Sequence, residues 1–350
     1  MIKIACFDSK EYDINSFNRY LKDNNLEDKV EIKYYEPRLN KDTVSLANGY
    51  DGVIVFVNDV VDKLVIDKLV SYNVKAIFLR CAGYNNVDLK YCFSRLHVYR
   101  VPAYSPYAVA EHSFALLLTI VRRTHKAYNR IKEYNFSLVG LTGNDLHNKT
   151  VGVIGTGKIG KCFINIAEGF GMRVIAYDKY PSEIEGVTYV DLDTLYKESD
   201  YISLHCPLTE ENHHMIDEKA ISMMKKNIII INTSRGGLID TNALLTAIKN
   251  RRIGGACLDV YEEESDIFYN DKSNHIMDDN ILLQLIAMPN VIITSHQAFL
   301  TVEALDNIAE TTVNNILKFF NDNESTSDNE VCYRCMNMDS CKKQRKEKCF

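Results

Sequence analysis

Short runs of apolar, β-branched residues recur along the chain, separated by polar stretches whose apolar positions fall at helical spacing. In the first hundred residues the runs are 2–7, 30–35, 53–57, 76–79 and 98–101. Their length and composition predict buried strands. The stretches 16–24 and 61–72 between them read as amphipathic helices. Strands alternating with helices predict a parallel sheet covered on both faces.

Pro102 and Pro106 punctuate the chain, and one long helical pattern then runs from 108 to about 134. Its apolar positions include Val109, Phe114, Leu117, Leu118 and Val121. A second alternating series follows, with strands predicted at 151–154, 173–177, 201–205, 227–232, 255–259 and 291–294. A last amphipathic helix is predicted from 302 to 320. The stretch 321–329 carries no large apolar residue and reads as a linker.

Composition narrows the class. A length of 350 residues suggests about two domains. A net charge of −6 offers no basic face for a nucleic acid. The apolar stretch 114–121 is interrupted by Thr119 and stopped by Arg122-Arg123. It falls short of the ~20 residues of a spanning helix. The N-terminus turns polar too early for a signal peptide. Ten cysteines in so large a chain indicate a reducing compartment rather than a disulfide framework. The expectation is a soluble cytoplasmic protein with no membrane or nucleic-acid partner.

The candidate chemistry begins at Gly155-Thr156-Gly157-Lys158-Ile159-Gly160, which fits G-x-G-x-x-G. A predicted strand precedes it, a helix follows, and Asp178 closes the next strand. In such a turn the first glycine permits the bend and the second admits a pyrophosphate. The third lets helix and strand pack closely. An acid at the position of Asp178 accepts from ribose hydroxyls and repels a 2′-phosphate, so NAD is favoured over NADP.

Ligands of open α/β sheets collect at the carboxyl ends of the strands. Three successive later strands lead into Asn232-Thr233-Ser234-Arg235-Gly236-Gly237, Asp259-Val260-Tyr261-Glu262-Glu263-Glu264 and Thr294-Ser295-His296. They bring an arginine, a carboxylate and a histidine to one rim. Reduction of a 2-oxo acid by a nicotinamide needs a bidentate cation for the carboxylate and a proton donor for the ketone oxygen. It also needs an acid that orients the imidazole. Arg235, His296 and Glu264 fit these roles.

The series GTGKIG, LHCPLT, NTSRGGLID, LDVYEEE and SHQAF resembles the NAD-dependent D-2-hydroxyacid dehydrogenases over residues 1–330. LRCAGYNNVDL, YRVPAYSP and NFSLVGLTG resemble its branch of fermentative bacterial D-lactate dehydrogenases. The resemblance implies an enzyme with catalytic residues Arg235, Glu264 and His296, Glu264 being selected by the family pattern D-x-Y-E-x-E. It implies cofactor contacts at Gly155, Gly157, Lys158, Ile159, Gly160, Asp178, Cys206, Pro207, Asn212, Thr233, Ser234, Arg235 and Asp259. Substrate contacts are implied at Ala82, Gly83, Tyr104, Arg235 and His296, and no metal ligand is implied.

The implied fold is α/β, with two Rossmann-like or flavodoxin-like parallel-sheet domains and the active site in the cleft between them. The substrate domain would be discontinuous, 1–101 plus 300–330, and the NAD-binding domain would span 102–299. The helix at 106–134 would lie between domains and in a dimer interface, making a homodimer or higher homo-oligomer. The implied reaction is reversible NADH-dependent reduction of pyruvate to D-lactate. Larger 2-oxo acids, such as those giving 2-hydroxyisocaproate or phenyllactate, are an alternative. A non-enzymatic NADH-sensing corepressor is another. The chain departs from the family at 331–350, a basic tail with Cys332, Cys335, Cys341 and Cys349. Four thiols suit zinc, but their spacing matches no zinc module; the other reading is a disordered appendix.

Overall fold

In the computed structural model, residues 1–321 and 329–336 are described. They form two compact units, one of residues 1–105 with the described residues from 301 on, the other of residues 106–300.

The first unit is built on a parallel sheet of β1 (Ile2–Cys6), β2 (Val30–Tyr34), β3 (Gly52–Val55), β4 (Ala76–Leu79) and β5 (His97–Tyr99). Their order is β2-β1-β3-β4-β5. The central strands β3 and β4 are buried at every position, while the edge strand β2 alternates buried and exposed residues. That contrast is the one between a strand covered on both faces and one at a half-wet edge. Helix Glu11–Asp23 supplies Phe17 and Leu21 to one face, and helix Val302–Asn321 supplies Ala309, Val313 and Ile316 beside them. The polar linker expected at 321–329 leads to an unforeseen element. Val331 N–H donates to Val98 O at 2.8 Å, Arg100 N–H donates to Asn329 O at 3.0 Å, and Glu330 bridges Tyr99 in antiparallel sense. The returning chain thus covers the open edge of β5. Its Val331 and Cys332 are buried, and the Tyr333 ring meets Phe93 edge-on at 4.9 Å. Cys341 and Cys349 lie outside the described residues, as does the Cys335 side chain.

The second unit holds seven parallel strands: β6 (Thr150–Ile154), β7 (Arg173–Tyr177), β8 (Thr188–Tyr189), β9 (Tyr201–Leu204), β10 (Ile229–Asn232), β11 (Gly255–Leu258) and β12 (Val291–Ile293). The order is β12-β11-β10-β9-β6-β7-β8. Strand β8 is missed by the sequence pattern because two residues carry no period. One cluster of buried residues, with Ile202, Ile230, Leu244 and Leu258, fills one face; another, with Phe114, Leu117, Val153 and Phe163, fills the other. Asp191, Asp217, Asp240 and Asp279 cap the N-termini of four flanking helices, each carboxylate accepting a free N–H of the first turn. The single helix expected over 106–134 is two helices, Pro106–Arg122 and Thr124–Lys132. Arg123 between them is left-handed (φ 54°), a break that apolar periodicity does not register. Around the second helix and beyond it, Tyr128, Ile131, Tyr134, Phe136, Leu138 and Val139 are all exposed. Among the described residues no helix is long and apolar enough to cross a membrane.

Candidate active site

The phosphate-binding turn has the form its glycines require. Gly155 is left-handed (φ 96°), and a Cβ there would lie 2.6 Å from the His205 carbonyl carbon. A Cβ on Gly160 would lie 2.1 Å from Gly155 O, so helix Lys158–Gly169 can approach β6 only without a side chain. Gly157 differs: a Cβ on it would meet nothing within 4 Å. The middle glycine therefore borders open space at the start of a helix. Unpaired N–H groups and the positive dipole end favour an anion there. The residues present fit a dinucleotide.

Asp178 lies at the end of β7, next to this turn. Its Oδ2 accepts from Thr156 N–H at 2.6 Å and from the Thr156 hydroxyl at 3.0 Å, and its Oδ1 accepts from Tyr180 N–H at 2.8 Å. Desolvation opposes the charge, but these donors outweigh it and hold the carboxyl below its ordinary range. The residue is an anion that also ties the glycine turn to β7.

The next strand ends line up as the topology dictates. After β9, the Cys206 carbonyl accepts from Ser234 Oγ at 2.6 Å, and Asn212 Nδ2 donates to Pro207 O at 2.7 Å. Burial pushes the Cys206 thiol up to about 11, so it is not a thiolate at neutral pH. After β10, Thr233 Oγ1 lies 2.8 Å from Ser113 Oγ on helix Pro106–Arg122. Arg235 Nη1 donates to Ser234 O at 2.7 Å, and Arg235 O accepts from Asn232 Nδ2 at 2.8 Å. Among the described residues the Arg235 guanidinium pairs with no carboxylate. Gly236 lets this loop press on the next, since a Cβ there would lie 2.4 Å from Glu262 N.

Strands β10, β11 and β12 are hydrogen-bonded neighbours, with Asn232 paired to Leu258 and Leu258 to Ile293. Beyond β12, His296 Nδ1 lies 2.7 Å from Glu264 Oε1, and Glu264 Oε2 accepts from Tyr261 N–H at 2.9 Å. Both side chains are about one-fifth exposed, 21% and 23%. The expected pairing of the histidine with the last of three glutamates is thus present in the geometry.

Asp259, an implied cofactor contact, also organises the histidine loop in the structure. It is fully buried and accepts from Thr294 Oγ1 at 2.5 Å, Gln297 N–H at 2.9 Å and Ala298 N–H at 2.8 Å. His112 Nε2 lies 3.4 Å from the same Oδ1. Burial works against its charge, yet His112, Thr294 and the two N–H groups hold the carboxyl below its usual range. The Asp259 carbonyl also accepts from His296 N–H at 2.7 Å. His112, Thr294 and Ser113 escape sequence reading because their partners are distant in sequence and no motif links them. In the first unit, Ala82 and Gly83 follow β4 with neither N–H engaged among the described residues; Ala82 O accepts from Arg100 Nη1 at 2.9 Å. Tyr104 lies at that unit's end, half-buried.

Residues 114–298 match the family described as D-isomer specific 2-hydroxyacid dehydrogenase, NAD binding domain. The chain is 49% identical over 319 residues to D-lactate dehydrogenase of Escherichia coli, covering 90% of this chain and 96% of that protein. The solved apo-structure of D-lactate dehydrogenase from Escherichia coli superposes with a TM-score of 0.86 at 45% identity, covering 94% of this chain and 100% of that one. A structure of D-2-hydroxyisocaproate dehydrogenase superposes with a TM-score of 0.83 at 32% identity, covering 94% and 99%.

Proposed function

This chain belongs to the D-isomer-specific 2-hydroxyacid dehydrogenases and is an NAD-dependent enzyme, and we propose that it catalyses the reversible reduction of pyruvate to D-lactate. The observation that carries the proposal is the 2.7 Å contact between His296 Nδ1 and Glu264 Oε1, on a strand end two places from the one bearing Arg235.

The turn at Gly155, Gly157 and Gly160, with Asp178, would hold the dinucleotide. When bound, NADH supplies the hydride. Glu264 fixes the imidazole by its Nδ1, which leaves Nε2 to give a proton to the ketone oxygen and to take it back in the reverse direction. Arg235, free of any acid partner among the described residues, offers its planar donors to the substrate carboxylate in bidentate fashion. The unengaged N–H groups of Ala82 and Gly83 and the hydroxyl of Tyr104 are proposed as further substrate contacts. A homo-oligomer belongs to the same proposal, supported by the exposed apolar side chains from Tyr128 to Val139.

The likeness to D-2-hydroxyisocaproate dehydrogenase supports a second reading, a larger 2-oxo acid. Oxidation of NADH with pyruvate, 2-oxoisocaproate, phenylpyruvate and 3-phosphohydroxypyruvate, with chiral analysis of the product, decides between them. The highest kcat/KM for pyruvate and a D product are expected. A preference for 2-oxoisocaproate would move the assignment to the second reading, and no turnover with any of the four would overturn both.

A further inference from the structure

The turn after β9 ends in two adjacent histidines that the dehydrogenase chemistry does not use. The ring of His213 stacks on that of His214, with centroids 3.9 Å apart and planes inclined by 28°. Both present Nε2 to one carboxylate oxygen: Glu262 Oε1 lies 2.5 Å from His214 Nε2 and 3.9 Å from His213 Nε2. The three donor atoms all lie within 4.8 Å of one another. We propose that His213, His214 and Glu262 form a binding site for a zinc-class divalent ion.

The donor chemistry selects the metal class. Two imidazoles and a carboxylate suit zinc and its neighbours, whereas calcium and magnesium take oxygen donors. Bond lengths of ~2.0–2.2 Å in a tetrahedron set donors ~3.3 Å apart. The two measured separations straddle that spacing. Loading requires Glu262 to withdraw slightly from His214 and the rings to tilt from their stack. His213 is half exposed and its ring rests on Gly237, where a Cβ would come within 3.4 Å of it, so that movement meets little resistance.

The surroundings are built to hold the ligands. Glu262 Oε2 accepts from Thr241 Oγ1 at 3.0 Å, which leaves Oε1 directed at the histidines. This is the outer contact that orients ligating carboxylates in metal sites. His214 N–H donates to Gly237 O at 2.8 Å, and His214 adopts the left-handed conformation (φ 55°). That strained backbone turns its ring toward Glu262. The site joins three strand ends: the histidines follow β9, Gly237 follows β10 and Glu262 follows β11. Its metal would cross-link the loop after β9, which hydrogen-bonds Gly237 just beyond Arg235, to the loop that carries Glu264.

The test uses the full chain carrying Cys335→Ser, Cys341→Ser and Cys349→Ser, so that tail thiols do not compete. Zn(II) binding is measured by calorimetry, Co(II) binding by its visible spectrum, and the thermal midpoint with and without Zn(II). One equivalent should bind, with a cobalt spectrum lacking a thiolate charge-transfer band and a raised midpoint. His214→Asn, which tolerates the left-handed backbone, and Glu262→Gln should each weaken binding at least tenfold while NADH binding attests to an intact fold. Thr241→Val should weaken it ~10–100-fold, and Thr241→Ser should restore it. Absence of binding to the parent, or equal affinity in the parent and the His214 and Glu262 variants, would overturn the proposal.

Discussion

The imidazole of His296 is anchored to Glu264 by a 2.7 Å contact at Nδ1, on a backbone held in the left-handed conformation (φ 53°). Neither residue achieves this alone. Asp259 fixes the loop from below through the His296 N–H, and Tyr269 donates its hydroxyl to the His296 carbonyl at 3.0 Å. The ring is therefore placed by three residues of the segment after β11 acting together on the loop after β12.

Replacing Glu264 with Gln keeps a hydrogen-bond acceptor but removes the charge. The contact to His296 Nδ1 then becomes a weaker one to a neutral amide, so kcat for reduction should fall ~10-fold or more while NADH affinity holds. His296→Asn should lower kcat by ~10²–10⁴-fold with little change in NADH affinity. Steady-state kinetics and fluorescence titration with NADH measure these effects. An unchanged kcat in Glu264→Gln would contradict a catalytic role for the pairing.

The glycines of the turn make separable predictions. Gly157→Ala meets open space and should fold with an almost unchanged thermal midpoint, while NADH binding weakens tenfold or more. Gly160→Ala must displace Gly155 O from 2.1 Å and should lower the midpoint by several degrees. Equal stabilities for the two variants would refute the packing role of Gly160.

Asp59 provides a pH dependence of stability in the first unit. It is fully buried, and burial pushes its carboxyl up to about 7, in spite of N–H donors from Phe56 and Leu39 and the nearby Arg80. The folded state thus holds a proton that the unfolded chain releases near pH 4. Stability from this group is complete below about pH 4 and is lost as pH rises to about 7, at up to about 1.4 kcal/mol per pH unit. Urea melts at pH 5, 6, 7 and 8 should show a shallower pH dependence in Asp59→Asn than in the parent. Parallel curves would exclude Asp59 as its origin.

The returning segment 329–336 should stabilise the first unit. A chain ending at Asn321 exposes the edge of β5 and the apolar surface that Val331 and Cys332 cover. Burying one such side chain contributes ~1.5–3 kcal/mol, and bare edges promote association. Lower urea midpoints and concentration-dependent light scattering are expected for the truncated chain. Val331→Ser should reproduce part of the loss of stability. A truncated chain as stable and monodisperse as its parent under the same conditions would sink this role.

The sequence by itself determined most of the strands, the phosphate turn and the order in which functional side chains leave the second sheet. These are local properties: β-branched runs mark buried strands, three glycines mark one turn, and parallel connectivity puts every strand end on the same rim. Resemblance then selected Glu264 among three neighbouring acids, which periodicity alone left open. Tertiary structure decided what depends on partners remote in sequence. Asp259 proved to be the buried anchor of the histidine loop because His112 and Thr294 converge on it from distant segments. Arg123 broke a helix whose apolar pattern runs on without interruption. His213 and His214 met Glu262 only because β9, β10 and β11 are neighbours in the sheet. Residues 329–336, which the sequence pattern assigned to no element, found order because β5 left backbone donors and acceptors unpaired at an edge. Local pattern fixes which way a side chain leaves its element; only the packing of elements fixes what it meets.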